Sequence, residues 1–237
     1  MRIAIDAGHG PDTPGKRSPD DSLREFHFNS SVAKRVVALL SAYESVITLE
    51  VHEQGRDVPL KERTDRANKW KADAYVSIHA NASGSAWSDA NGIETFVYPS
   101  ENAETRKLAT NVHAALIDGT KRRDRGVKTA DFHVLRETAM TAILVECGFM
   151  TNREECELLK AESYRDKVAQ AIVDGLVKTY GLKRKEAVTV PKTDREAAEK
   201  VIAVLGALYM ASDNAQVREA AHLAANALRD AAGIPRS

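Results

Sequence analysis

Two histidines, His9 and His79, and two glutamates, Glu25 and Glu146, are the residues whose types and placement could do chemistry together. Each histidine follows a short β-rich apolar run. Ile3-Ala4-Ile5-Asp6-Ala7 runs into Gly8-His9-Gly10, and Ala74-Tyr75-Val76-Ser77-Ile78 runs into His79-Ala80-Asn81. Glu146 ends a third run, Ile143-Leu144-Val145, and Glu25 stands at the start of a helical pattern. In an open α/β sheet the carboxyl ends of strands are where ligands bind. Two neutral imidazoles and one carboxylate are the ligand set of many catalytic zinc sites, which keep a fourth position for water. A remaining carboxylate, off the metal, can then act as general base. The pattern does not decide which glutamate takes which role. It also fits Glu25 as a surface helix residue and Glu146 as half of a strand-end ion pair.

These four residues are far apart in sequence, so a fold must gather them. Apolar periodicity predicts a helix over 24–40, with Phe28, Val32, Val36, Leu39 and Leu40 on one face. Strands are expected at 46–51, 74–78, 93–98, 132–135 and 143–145. Further helices are expected at 60–71, 102–118, 152–160 with Asn152 as N-cap, and 164–180 closed by Gly181. This alternation predicts an α/β domain over 1–182, a largely parallel mixed sheet with helices on both faces. The glycines at 8 and 10 are expected to allow a tight turn with unusual backbone angles.

Residues 183–192 are charged, then extended and proline-containing, as in a linker. Residues 193–237 carry a smaller α-helical unit. Thr193-Asp194-Arg195-Glu196 fits a capping box. Val201, Ile202, Leu205, Leu208 and Tyr209 make an apolar face. A second helix is expected to be capped by Ser212 or Asp213 and ended by Gly233 and Pro235. A lone hairpin of this kind leaves part of its apolar face wet, so a homodimer through these helices is expected.

The 34 basic and 34 acidic residues balance, which argues against nucleic acid as a partner. No apolar run approaches the roughly 20 residues of a spanning helix. The first residues lack the basic and apolar regions of a signal peptide, so the chain is expected to be made in the cytoplasm and to need another exit route. Cys147 and Cys156 read as buried small side chains rather than a disulfide. His27 lies two residues after Glu25, about 200° around a helix, and cannot face the same ion. His52, His113 and His222 read as surface residues. Trp87 reads either as part of a cleft rim or as a cover on a core edge.

Taken in order, these segments resemble a known family. They are Asp6-Ala7-Gly8-His9-Gly10, Glu25 with Asn29, Leu60-Lys61-Glu62-Arg63, Ala67-Asn68, Ser77-Ile78-His79-Ala80-Asn81-Ala82, and Leu144-Val145-Glu146-Cys147-Gly148-Phe149-Met150-Thr151-Asn152. Over about residues 2–182 the chain resembles the zinc-dependent N-acetylmuramoyl-L-alanine amidases of the amidase-3 type. The resemblance implies that His9, Glu25 and His79 hold zinc and that Glu146 is catalytic. It implies hydrolysis of the bond between N-acetylmuramic acid and L-alanine, with peptidoglycan as the partner. Thr141 stands where the family often has proline, a position that supports the strand rather than the chemistry. His133 adjoins a segment that in the family runs near the cleft. Such enzymes often carry a wall-binding unit, the role expected of 193–237. A phage endolysin released through a holin pore is the expected setting, with a host autolysin released on lysis as the alternative. The rival readings are a zinc peptidase acting within stem peptides and an inactive wall-binding protein.

Overall fold

The structure, a computed structural model, describes residues 1–185 and 195–234. The chain divides into two compact units, Met1–Lys185 and Glu186–Ser237.

The first unit is built on one six-stranded sheet. Its strands are β1 (Arg2–Ala7), β2 (Ile47–Glu50), β3 (Ala74–Asn81), β4 (Ile93–Val97), β5 (Asp124–Thr129) and β6 (Thr141–Phe149). They lie in the order β2-β1-β3-β6-β4-β5. Pairing is parallel except between β4 and β6. β1 and β3 are buried on both faces, which explains their near-continuous apolar composition. The helices are α1 (Glu25–Leu40), α2 (Leu60–Trp70), α3 (Ala103–Thr120), α4 (His133–Arg136), α5 (Arg153–Lys160) and α6 (Glu162–Tyr180).

Alternation along the strands splits the core in two. Ile3, Ile5, Val76, Ile78, Ile143 and Val145 face a large cluster with Phe28, Val32, Val36 and Leu40 of α1, together with α3 and α6. The opposite face holds a smaller cluster: Ala4, Tyr75, Leu144, Ala67 of α2, and Val134 and Leu135 of α4. That thinner cover leaves room for a cleft over the carboxyl ends of β1, β3 and β6. The expected mixed, largely parallel sheet is present. Asn152 caps α5 by accepting from the Glu155 amide at 3.1 Å, and Gly181 closes α6 at φ 64°.

Three expectations change. Residues 132–135 do not form a strand: Leu135 and Arg136 both bond back to the Phe132 carbonyl, making the single turn α4. The run is too short for periodicity to separate strand from helix. β5 escapes the pattern because Asp124-Arg125-Gly126-Val127-Lys128-Thr129 is a partly exposed edge strand, where charged residues are at home. β3 and β6 run past 78 and 145, so His79 and Glu146 lie inside strands. A polar residue on the cleft face imitates a strand end in the sequence.

Lys183 and Lys185, expected in the linker, bond to Glu44 and Ala42, and Arg184 bridges to Tyr43. The remainder of the expected linker and the first half of the capping box, Thr193 and Asp194, lie outside the described residues. The second unit is a helical hairpin, α7 (Arg195–Ala211) and α8 (Ala215–Ala232). Ala198, Ala221 and Ala225 are buried, whereas Val204, Met210 and Leu223 are more than half exposed. The cap of α8 is Asn214, one residue past those expected; it accepts from Gln216 N at 2.9 Å. Gly233 ends the helix as expected, and Pro235 lies outside the described residues.

Candidate metal centre and active site

Strand register aligns Asp6, Ser77, His79 and Glu146. Asp6 of β1 lies opposite Ser77 of β3, and His79 opposite Glu146 of β6. All four side chains therefore stand on the sheet face with the smaller core. His9 follows β1 and adopts φ 66°, a left-handed conformation rare for a residue with a side chain. The expected unusual backbone angle thus falls on the histidine and not on its glycine neighbours. Gly8 and Gly10 are needed for space instead. A Cβ on Gly8 would sit 2.1 Å from the His79 ring, and one on Gly10 2.4 Å from the Asp57 backbone.

Glu25 is the first residue of α1, and its amide donates to Lys16 O at 2.9 Å. This start aims the side chain across the strand ends, where it is 3% exposed. One carboxylate oxygen lies 2.9 Å from His79 Nδ1, the other 3.1 Å from His9 Nε2. Asn29, one turn later, donates to Gly8 O at 3.0 Å and to Glu25 Oε1 at 3.3 Å. Burial works against the Glu25 charge, but its bonds to His79 and His9 prevail and hold the carboxyl below its usual range. Among the described residues, the ligand atoms of His9, Glu25 and His79 all lie within 4.8 Å of one another. Two imidazole nitrogens and an ionised carboxylate at that separation fit a zinc-type cation.

Glu146 stands beside this group, and its Oε2 is buried without a hydrogen-bond partner among the described residues. Burial pushes its carboxyl up to about 8, and the charges of Glu25 and Glu94 add to that. Glu94 lies opposite it across the β4–β6 pair. The cleft above these residues holds about 980 Å³ and is lined by His9, Glu25, His79 and Glu146, with Lys16 and His133 among the others. His133 Nε2 is also buried and unpartnered among the described residues.

Arg63 was legible only as part of a motif, not as a working residue. It is fully buried beneath the site. It donates to Asp6 Oδ1 at 2.7 Å, to Val58 O at 2.8 Å, and to the carbonyls of Ala7 and His9. One guanidinium thereby fixes both ends of the turn that presents His9.

His52 and His113 are not surface residues. His52 is 5% exposed, accepts the Ala7 amide on Nδ1 at 3.2 Å, and is held below the usual histidine range by burial. His113 lies 3.0 Å from Thr95 and 2.8 Å from Asp124, tying α3 to β4 and β5. The partners of both come from other elements, which local pattern does not reveal. His222 is exposed, as expected, and so is His27. Cys147 and Cys156 are buried free thiols. Trp87 packs against the larger core with the Arg153 guanidinium 4.4 Å from its ring centre, so it covers a core edge.

Comparison with known proteins identifies the family of the chain. The family model described as N-acetylmuramoyl-L-alanine amidase, Amidase_3, matches residues 3–178. A sporulation-specific N-acetylmuramoyl-L-alanine amidase of Bacillus subtilis is 35% identical over 184 residues, 78% of this chain and 70% of that protein. An endolysin of Bacillus phage SPP1 is 31% identical over 197 residues, 81% of this chain and 70% of that protein. The crystal structure of an N-acetylmuramoyl-L-alanine amidase from Clostridium difficile 630 superposes with a TM-score of 0.72 at 34% identity, covering 75% of this chain and 95% of that one. By the matched span and these relatives, the chain belongs to the N-acetylmuramoyl-L-alanine amidase family.

Proposed function

We propose that this chain is a zinc-dependent peptidoglycan amidase that hydrolyses the amide joining N-acetylmuramic acid to L-alanine of the stem peptide. The observation that carries it is the gathering of His9, Glu25 and His79 within 4.8 Å beside the unpartnered Glu146 Oε2. His9, Glu25 and His79 would hold the metal. When bound, zinc supplies Lewis acidity, lowering the pKa of water toward about 7 and polarising the scissile carbonyl. Glu146 Oε2 takes the proton of the attacking water and passes it to the departing alanine nitrogen. Purified protein is expected to carry one zinc per chain in such a site. A strong chelator should stop it clearing purified walls, and added zinc should restore clearing. Active, metal-free protein would overturn this reading.

Among the described residues no helix is long and apolar enough to cross a membrane. The site of action proposed is the cell wall, reached after release from the cytoplasm. The family's endolysins and autolysins are both consistent with that, and a neighbouring holin gene would decide for a phage. For 193–237 we propose wall targeting and self-association, supported by the exposed Val201, Val204, Leu208, Tyr209 and Met210 on α7. The full chain should sediment as a dimer and Met1–Lys185 as a monomer. A monomeric full chain would remove the self-association.

A further inference from the structure

His79 has two ring nitrogens, and they face different surroundings. Nδ1 faces Glu25 at 2.9 Å, within the cluster assigned to the metal. Nε2 lies 3.2 Å from Ser77 Oγ, on the same face two residues back along β3. Ser77 is fully buried, and its hydroxyl donates to Asp6 Oδ2 at 2.7 Å. Asp6 Oδ1 is taken by Arg63 Nη1 at 2.7 Å, an ion pair in which both side chains are at most 2% exposed.

Hydrogen-bond accounting along this chain has one solution. An ionised carboxylate only accepts, so Asp6 takes the single proton of Ser77. Ser77 Oγ then has only lone pairs to offer His79. His79 Nε2 must therefore carry a proton, and Nδ1, which faces the Glu25 carboxylate, is the nitrogen left to exchange its proton for a metal. A metal-bound histidine is oriented in this way by the partner of its other nitrogen.

We propose that Arg63, Asp6 and Ser77 form a positioning relay that fixes the His79 tautomer for metal binding through Nδ1. This rests on the zinc reading above. Strand register builds the relay into the sheet: Asp6 and Ser77 are direct partners, and Ser77 and His79 share a face.

The relay makes opposite demands on two substitutions. Ser77→Ala removes the acceptor and leaves the tautomer unspecified. Asp6→Asn reverses the direction: the amide oxygen stays on Arg63, the amide nitrogen donates to Ser77, and the Ser77 proton turns to His79 Nε2. The ring proton is then forced onto Nδ1, where the metal should bind. The test is zinc affinity by chelator competition on the full chain, together with ¹⁵N resonances of the His79 ring in zinc-loaded protein. Wild type should show a protonated Nε2 and a metal-bound Nδ1. Zinc affinity should fall about 10–100-fold in Ser77→Ala and at least as far in Asp6→Asn, with far-ultraviolet circular dichroism unchanged in Ser77→Ala. Wild-type affinity in both variants, or metal on Nε2 of the wild type, would overturn the relay while leaving the zinc reading standing. A wild type that takes up no zinc would overturn the zinc reading itself.

Discussion

Glu146→Gln is expected to lower turnover on purified walls by about 10²–10⁴-fold, the usual contribution of a general base, while zinc content stays at the wild-type level. Glutamine keeps the shape and hydrogen-bonding reach of the side chain but cannot take a proton. The expectation rests on three observations. Glu146 is held opposite His79 by strand register. Its buried Oε2 has no hydrogen-bond partner among the described residues, which leaves it available to an external group. Its carboxyl is pushed up to about 8 by burial and by the charges of Glu25 and Glu94. A cation held by His9, Glu25 and His79 would pull it back down, toward the range in which a base works near neutral pH. Loss of zinc in a folded variant would make Glu146 a ligand and reverse the assigned roles. Retained turnover would remove it from the chemistry.

The second large effect concerns stability. Arg63→Met should destabilise the chain by about 3–5 kcal/mol, the cost of leaving a buried charge without its partner. Asp6 would keep only Ser77, and the carbonyls of Ala7, His9 and Val58 would each lose a donor. A urea titration followed by tryptophan fluorescence reads the loss directly. Adding Asp6→Asn to Arg63→Met should cost less than the sum of the two, since the pair is in contact. The pH dependence has a defined sign. Burial alone would raise the Asp6 carboxyl, but Arg63 and Ser77 outweigh it and hold it low. Its stabilisation is therefore complete above the unfolded carboxyl value of about 3.9 and is lost as pH falls through the lower folded value. An unchanged urea midpoint in Arg63→Met would show that the buried pair contributes nothing net.

Much of the site was legible because its chemistry sits directly on strand patterns. His9, His79 and Glu146 each end or interrupt a β-rich run, and a parallel sheet places the carboxyl ends of such runs on one edge. Glu25 was legible as the start of an amphipathic helix. Arg63 was hidden for the opposite reason. A charged residue in a helix of mostly polar composition reads as solvated, and its burial depends on Asp6, 57 residues away. His52 and His113 were misjudged on the same ground. The glycines beside His9 were recognised, but their purpose was not: the His79 ring that crowds Gly8 comes from another strand. Local propensity locates elements well when they are long and periodic; it does not report which polar side chains the packing will enclose.

The bond proposed to be cut lies between N-acetylmuramic acid and L-alanine. Product analysis tests it most directly. Purified peptidoglycan is digested with the zinc-loaded protein, and the soluble products are separated and identified by mass spectrometry, with new amino termini labelled. New amino-terminal L-alanine is expected on the released stem peptides, and glycan strands whose muramic acids keep a free lactyl carboxyl. Products in which alanine remains attached to muramic acid, with new termini farther along the stem, would contradict it and establish a peptidase.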